Sequence, residues 1–253
     1  MKVLVTGASS GIGAATAVAF AKAGHEVGIC ARRGDRLDEV ARACGAQTRS
    51  WVVDLADLGG LEPFAQKVDD EFGGLDVLIN NAGVPKRRRV QNMAVADLET
   101  VMEMNYYSPV RLALAFLPLM VARGSGEIVN VSSMGAHSAA FGVGAYAASK
   151  AALELFTESM YLELSNTGVR ARLFVPGTTR TEFSDDKPDN EPASALGGNP
   201  ATAEDVAAAI VASVGSDDYV TYASPREAKT AAAKAADPNA FLARAREALR
   251  AFV

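Results

Sequence analysis

The sequence predicts an α/β fold: a single doubly wound, parallel, seven-stranded sheet with helices on both faces, continued by a helical C-terminal tail. Three observations carry that expectation. Short apolar runs alternate with longer helical patterns along most of the chain, the order of strands joined by helical crossovers. A glycine-rich loop, Thr6-Gly7-Ala8-Ser9-Ser10-Gly11-Ile12-Gly13, stands between the first apolar run and the first helix. The chemistry-bearing residues fall where strands stop, and open parallel sheets bind ligands beyond the carboxyl ends of their strands.

With 253 residues, 49% of them hydrophobic, the chain can bury the core of one large domain. Twenty-five Lys and Arg against thirty Asp and Glu leave a net charge of -5, so no overall basic field exists for nucleic acid or an anionic membrane. Cys30 and Cys44 are too few for a disulfide framework and have no metal-ligand spacing, so reduced structural thiols and no metal are expected. The opening Met-Lys-Val-Leu-Val-Thr-Gly lacks the long apolar region of a signal peptide, and no run approaches the roughly 18 to 20 apolar residues of a membrane span. A cytoplasmic protein is the expectation.

In order, residues 2–5 form the first strand and 14–23 the first helix. Glycines at such a turn let the backbone approach a pyrophosphate, whose charge meets free N–H groups at the helix N-terminus. The spacing here, G-x-x-x-G-x-G, differs from the common G-x-G-x-x-G fingerprint. Residues 26–31 form the second strand. At its end an enzyme preferring NAD places a carboxylate on the ribose 2'-hydroxyl, whereas this chain has Arg32-Arg33. Two guanidiniums there favour a 2'-phosphate, hence NADP(H) over NAD(H); the plain alternative is a solvated start to the helix at 35–44. A third strand at 49–53 runs into Asp54-Leu55, a helix covers 58–72, and a fourth strand at 76–79 runs into Asn80-Asn81-Ala82-Gly83.

Lys86-Arg87-Arg88-Arg89 is the one dense basic run, read either as a solvated loop or as an attractor for an anionic substrate. Residues 97–123 are helical in pattern, with Pro109 and Pro118 expected to interrupt them and Asn105 to mark a bend or a functional carbonyl. The fifth strand, 128–131, delivers Ser132-Ser133, and the sixth, 170–175, ends in Pro176-Gly177-Thr178-Thr179-Arg180-Thr181. Residues 183–200 lack periodicity and read as a mobile lid over the site. A helix at 201–214 and a seventh strand at 219–222 follow. In the tail, Asp237-Pro238 has the form of a helix start, and Phe241, Leu242, Ala245, Leu249 and Phe252 form an apolar stripe for the domain or a partner subunit.

Between the fifth and sixth strands, Tyr146 and Lys150 stand four residues apart in an Ala-rich helical run. They share one helix face about 6 Å apart along the axis. An ammonium near a phenol favours phenolate and would lower the tyrosine pKa by roughly 1 to 3 units. Ser133, thirteen residues upstream, can hold a carbonyl or alcohol oxygen beside that phenol.

Together these motifs resemble the short-chain dehydrogenase/reductase family over residues 1–222: the T-G-x-x-x-G-I-G loop, Asp54, Asn80-Asn81-Ala82-Gly83, Asn105, Ser133, the Y-x-x-x-K pair, and Pro176-Gly177 with Thr181. The resemblance implies a Rossmann-type sheet in residues 1–222, with 223–253 as a helical extension, and hydride transfer between a nicotinamide and a carbonyl or secondary alcohol. It implies Tyr146 as acid in reduction and base in oxidation, Lys150 on the nicotinamide ribose, Ser133 on the substrate oxygen, and Asn105 ordering a water in a proton relay. Gly7, Ser9, Ser10, Ile12, Arg32, Arg33, Asp54, Asn81 and Thr181 would contact the cofactor, and Gly11, Gly13, Leu55, Ala82, Gly83, Pro176, Gly177 and Thr179 would bind it with them, together with Tyr146 and Lys150. Alternatives within this reading are a 3-oxoacyl thioester reductase engaging an acidic carrier through 86–89, and a non-catalytic NADP-binding regulator. After Tyr222 the chain departs from the glycine-containing end that helps many members form tetramers. The resemblance still implies a homodimer through helices 97–123 and 145–166, with a tetramer as the alternative. His25 and His137 read as structural, His137 also as a border of the substrate.

Overall fold

The computed structural model describes residues 1–138, 140–184, 190–191 and 200–250. Among them seven strands form one parallel sheet: β1 (Lys2–Thr6), β2 (Glu26–Ala31), β3 (Arg49–Val52), β4 (Val77–Asn80), β5 (Gly126–Val131), β6 (Val169–Val175) and β7 (Val220–Tyr222), in the order β3-β2-β1-β4-β5-β6-β7. The helices are α1 (Gly11–Lys22), α2 (Gly34–Cys44), α3 (Leu61–Phe72), α4 (Val95–Met102), α5 (Ser108–Arg123), α6 (Met134–His137), α7 (Gly144–Glu163), α8 (Ala203–Ser213), α9 (Pro225–Ala236) and α10 (Pro238–Arg250).

Helices cover both faces, so the strands are apolar on both, and successive residues divide between two cores. Leu4, Leu78 and Ile128 face the layer containing Phe64, Val68, Leu112, Phe116 and Met160, from α3, α5 and α7. Val3, Val5, Val77, Ile79 and Val129 face Ala17, Phe20, Leu37, Val206 and Ile210, from α1, α2 and α8. The register pairs Leu4 with Gly28 on one side and with Leu78 on the other. Gly28 is needed for space: a Cβ there would lie 2.7 Å from the Trp51 ring and 2.8 Å from the Phe72 ring. β1 is flanked by β2 and β4, where the direction of winding reverses, and the crevice of such a sheet opens at that point beyond the strand ends.

The helical stretch expected over 97–123 breaks at neither proline. Pro109 sits in the first turn of α5, where a missing N–H costs little, and Pro118 lies inside α5, which continues through it. The break is a π turn at Glu103–Tyr107. Asn105 stands in this turn, fully buried, with its side-chain amide bonded in both directions to the Val84 backbone. A π turn widens the helix by one residue and marks functional positions more often than ordinary ones.

The expected lid at 183–200 falls for the most part outside the described residues, as does Phe252 of the tail stripe. In the tail, Asp237 Oδ1 accepts the Ala240 N–H at 2.9 Å and caps α10. α10 packs on α9, and α9 on α6 and β7. Leu242, assigned to the stripe, is 51% exposed: a helix turns 100° per residue, so it points away from the seam that Phe241 makes with α9. No helix among the described residues is long and apolar enough to cross a membrane.

Candidate active site

Three loops meet above the centre of the sheet. Thr6, the last residue of β1, accepts the N–H groups of Asn81 and Ala82 on its hydroxyl, each at 3.0 Å, and donates to the Ile79 carbonyl at 3.3 Å. Asn81 returns a bond from Nδ2 to the Thr6 carbonyl at 2.9 Å. The loops after β1 and β4 are thereby locked together. Gly7 has a φ of 67°, and a Cβ on it would stand 2.8 Å from Ala82 Cα, so a side chain there would be strained and obstructed at once. A Cβ on Gly13 would meet Gly7 O and Asn81 Nδ2 at 2.5 Å. The loop after β6 closes the third side, where Thr181 lies against Gly11. Ser10 occupies the N-cap of α1 and makes no side-chain cap, which leaves the first N–H groups of the helix for an anion. A pyrophosphate fits such a cradle, since its glycines let the backbone come close and the first N–H groups of α1 are not used by a side-chain cap.

Arg33 turns back over this loop. Its Nε and Nη2 donate to Ser9 Oγ at 3.2 and 3.1 Å, Nη2 to Ser10 Oγ at 2.7 Å, and Nη1 to Glu182 at 3.0 Å. Arg32 is exposed and makes no hydrogen bond or ion pair among the described residues, so one guanidinium of the expected two meets the loop. Asp54 caps its own turn through the Ala56 N–H at 3.0 Å, and Leu55 is buried in the core rather than lining the cleft. Pro176 O accepts the Met134 N–H at 3.0 Å, which joins the β6 loop to α6. Gly177 O accepts from the Thr179 hydroxyl, and a Cβ on Gly177 would run into the Glu227 carboxylate.

Behind the cradle stand the residues that carry proton chemistry. Ser133 caps α6 by accepting the Gly135 N–H at 3.0 Å, which fixes its hydroxyl, and that hydroxyl and the Tyr146 ring each lie 3.3 Å from where a Gly135 Cβ would be. Phe183 lies over Tyr146 with ring centroids 5.8 Å apart. Lys150 is buried one turn further along α7, donates from Nζ to Val131 O at 2.8 Å, and lies 3.8 Å from where a Gly83 Cβ would be. Asn105 ties the neighbouring turn in place: Oδ1 accepts the Val84 N–H at 2.8 Å, and Nδ2 donates to Val84 O at 3.1 Å and to Ser149 Oγ at 3.2 Å. Ser133, Tyr146, Lys150, Asn105 and Gly83 thus stand together beside the glycine cradle.

The acidities differ from the expectation that Lys150 lowers the phenol pKa. Burial pushes Tyr146 above its ordinary value, and the Ser133 hydroxyl only partly opposes this. Burial also brings Lys150 down to about 8, with the Glu154 carboxylate acting in the other direction. Desolvation is the largest effect at both groups, and the ammonium spends a hydrogen bond on a backbone carbonyl.

Several residues at the site lie outside the motifs. Glu154, four residues beyond Lys150, accepts from Ser132 Oγ at 2.5 Å and stands 3.2 Å from His137 Nε2, without hydrogen-bond alignment to the latter. His137 thus lies between Glu154 and Tyr222, its ring 5.5 Å from that of Tyr222. The i, i+4 spacing of Lys150 and Glu154 was a readable signal; that of Arg33 and Glu182 was not. The basic run is not a free patch. Lys86 and Arg88 pair with Asp97 at 2.7 and 3.6 Å, Arg89 with Glu191 at 3.5 Å, and Arg87 Nε donates to Glu191 O at 2.9 Å. Internal carboxylates and carbonyls take the charge reserved for an anionic substrate. Cys30 is buried, its thiol pushed up to about 12, and Cys44 is free; no metal-ligating group of three occurs among the described residues.

This sheet, with a glycine cradle and a Ser-Tyr-Lys cluster at its strand ends, defines a Rossmann-type protein with the site plan of an oxidoreductase. A family model described as short chain dehydrogenase matches residues 1–192, and the chain belongs to that family. It is 40% identical over 176 residues to an uncharacterised oxidoreductase of Mycobacterium bovis, covering 66% of this chain and 52% of that protein. It is 40% identical over 166 residues to a fatty acyl-CoA reductase of Acinetobacter baylyi, covering 64% of this chain and 56% of the other. The chain thus spans little more than half the length of these curated relatives. Among solved structures it is similar to a short-chain dehydrogenase from Sphingobium yanoikuyae in complex with NADPH, at 29% identity and a TM-score of 0.80, covering 100% of this chain and 96% of that one.

Proposed function

We propose that this chain is an NADP(H)-dependent reductase of carbonyl compounds, or dehydrogenase of the matching secondary alcohols. The observation that carries the reading is the convergence of the Ser133 hydroxyl and the Tyr146 ring on Gly135, one helical turn from a buried Lys150 and beside the glycine cradle. Arg33 on the cradle favours a cofactor with a 2'-phosphate, and the NADPH-bound Sphingobium relative agrees with it. Gly7, Gly13 and the N-terminus of α1 would hold the pyrophosphate, and Thr181 and Asn81 would close round it. When bound, NADP(H) supplies or accepts the hydride at the substrate carbon.

Tyr146 does the proton work. Its raised pKa keeps the phenol protonated at neutral pH, ready to give its proton to the carbonyl oxygen in reduction. Ser133 holds that oxygen beside the phenol and stabilises the phenolate left behind. Lys150, charged below a pKa of about 8, stabilises the same phenolate and returns a proton toward it. Asn105 keeps the Val84 loop and Ser149 in register around both. Oxidation runs these steps in reverse, with Tyr146 accepting the alcohol proton.

Tyr146→Phe keeps the ring and deletes the acid. NADPH-linked carbonyl reduction should fall by about 10²- to 10⁴-fold while nucleotide binding persists. Retained turnover in the folded variant would refute the assignment. A thioester substrate is the second reading, favoured by the relative named fatty acyl-CoA reductase; turnover of an acyl-CoA but not of simple ketones would select it. We further read residues 1–222 as the cofactor-binding unit and 223–253 as its extension, and place the protein in the cytoplasm on the strength of its two free thiols. A homodimer through α5 and α7 is supported by their outward apolar side chains: Leu114, Leu155 and Leu162 are 53%, 68% and 65% exposed.

A further inference from the structure

The carboxylate of Glu182 sits inside the donor set that the proposed function assigns to a phosphate. One of its oxygens takes the Arg33 Nη1 bond at 3.0 Å, and the other lies 3.5 Å from Arg36 Nη1. Ser9 and Ser10 both accept from the same Arg33 guanidinium, at 3.1 and 2.7 Å. The two guanidiniums come from the end of β2 and the start of α2, the hydroxyls from the glycine loop, and the carboxylate from the loop after β6, 149 residues from Arg33. Glu182 follows Thr181, whose side chain rests on Gly11, so it crosses the cleft directly above the cradle. Arg33 and Arg36 hold its carboxyl below the ordinary range, so it is an anion at neutral pH.

We propose that Glu182 is a cofactor-selectivity residue, an internal anion that occupies the 2'-phosphate subsite formed by Arg33, Arg36, Ser9 and Ser10 and that a 2'-phosphate must displace. The inference rests on the NADP(H) reading of the site. A phosphate of charge near -2 and a carboxylate cannot share one pair of guanidiniums without strong repulsion. A competitor carried on the same chain acts at an effective concentration far above that of a free carboxylate. The preference of the site for a 2'-phosphate is therefore set by Arg33 and Arg36 less what Glu182 withholds. A ribose with a free 2'-hydroxyl brings no charge, so the Arg33–Glu182 pair can remain closed over it.

The test is calorimetric binding of 2',5'-ADP and of 5'-AMP to the full chain, without substrate or turnover. Glu182→Gln keeps the shape and removes the charge. It should tighten 2',5'-ADP by about three- to tenfold, the scale of a small exposed ion-pair network, and change 5'-AMP by less than about twofold. Asp35→Asn removes one negative charge from the start of α2, where no contact with Arg33 exists among the described residues, and should leave both affinities unchanged. Equal tightening by Asp35→Asn and Glu182→Gln would mean a general field effect and overturn the proposal. Unchanged or weakened 2',5'-ADP binding in Glu182→Gln also overturns it, while leaving the NADP(H) reading intact if the wild type prefers 2',5'-ADP. A preference that appears only in Glu182→Gln upholds the competitor and sinks NADP(H) as the natural cofactor; no preference in either protein sinks both.

Discussion

Lys150 gives the sharpest thermodynamic prediction, because its charge is buried at a cost that pH can remove. The side chain is 4% exposed, with Val131 O as its hydrogen-bond partner at 2.8 Å, and burial takes the amine from 10.5 to about 8. At about 1.4 kcal/mol per tenfold change in proton affinity, that difference corresponds to about 3 kcal/mol. The sign follows from linkage. The unfolded chain binds this proton more tightly than the folded one, so folding carries the full penalty below about pH 8 and none above about pH 10.5. Lys150→Met fills similar space without a charge and has no such penalty. Urea unfolding of both proteins at several pH values between 7 and 10.5 isolates the effect, since other titrating groups are common to both. Wild-type stability minus that of Lys150→Met should climb by about 3 kcal/mol across this window. A flat difference would show that the amine keeps its solvation in the folded protein, and the argument that burial governs both Lys150 and Tyr146 would fail.

Two further outcomes rest on other parts of the molecule. Glu127 is buried against Arg172 at 2.6 Å, with Arg170 and the Gly215 N–H as further partners. Glu127→Ala leaves the Arg172 charge buried and should lower the unfolding free energy by about 3 to 5 kcal/mol, whereas Glu127→Leu with Arg172→Met should recover most of it; equal losses would contradict a buried-charge origin. Light scattering on the chain, of mass 26.4 kDa, should report two copies, and Leu155→Glu should report one. An unchanged mass in the variant would move the interface off α7.

How far the sequence reaches can be judged residue by residue. β2 is found where its apolar run begins and ends, at Glu26 and Ala31, because a strand buried on both faces is a continuous hydrophobic stretch bounded by charge and glycine. The glycine cradle was readable because glycines between a strand and a helix have few other uses. Asn105 stands out in the sequence as a poor helix residue, but its partner in the π turn is the Val84 backbone 21 residues away, which no local pattern indicates. The four cations from Lys86 to Arg89 looked available because charge is visible in a sequence and its partners are not.

By itself the sequence determined the alternation of strand and helix, the placing of Tyr146 and Lys150 on one helix, and the cradle at the first turn. Those follow from periodicities of two and 3.6 residues and from the backbone freedom of glycine, all local properties. Only the tertiary structure decided that Lys150 bonds Val131, that Tyr146 is pushed toward the neutral phenol, and that Glu182 takes the charge of Arg33. Burial and pairing depend on which distant segments the packed sheet brings together, and a carboxylate 149 residues from its guanidinium leaves no periodic trace in the chain.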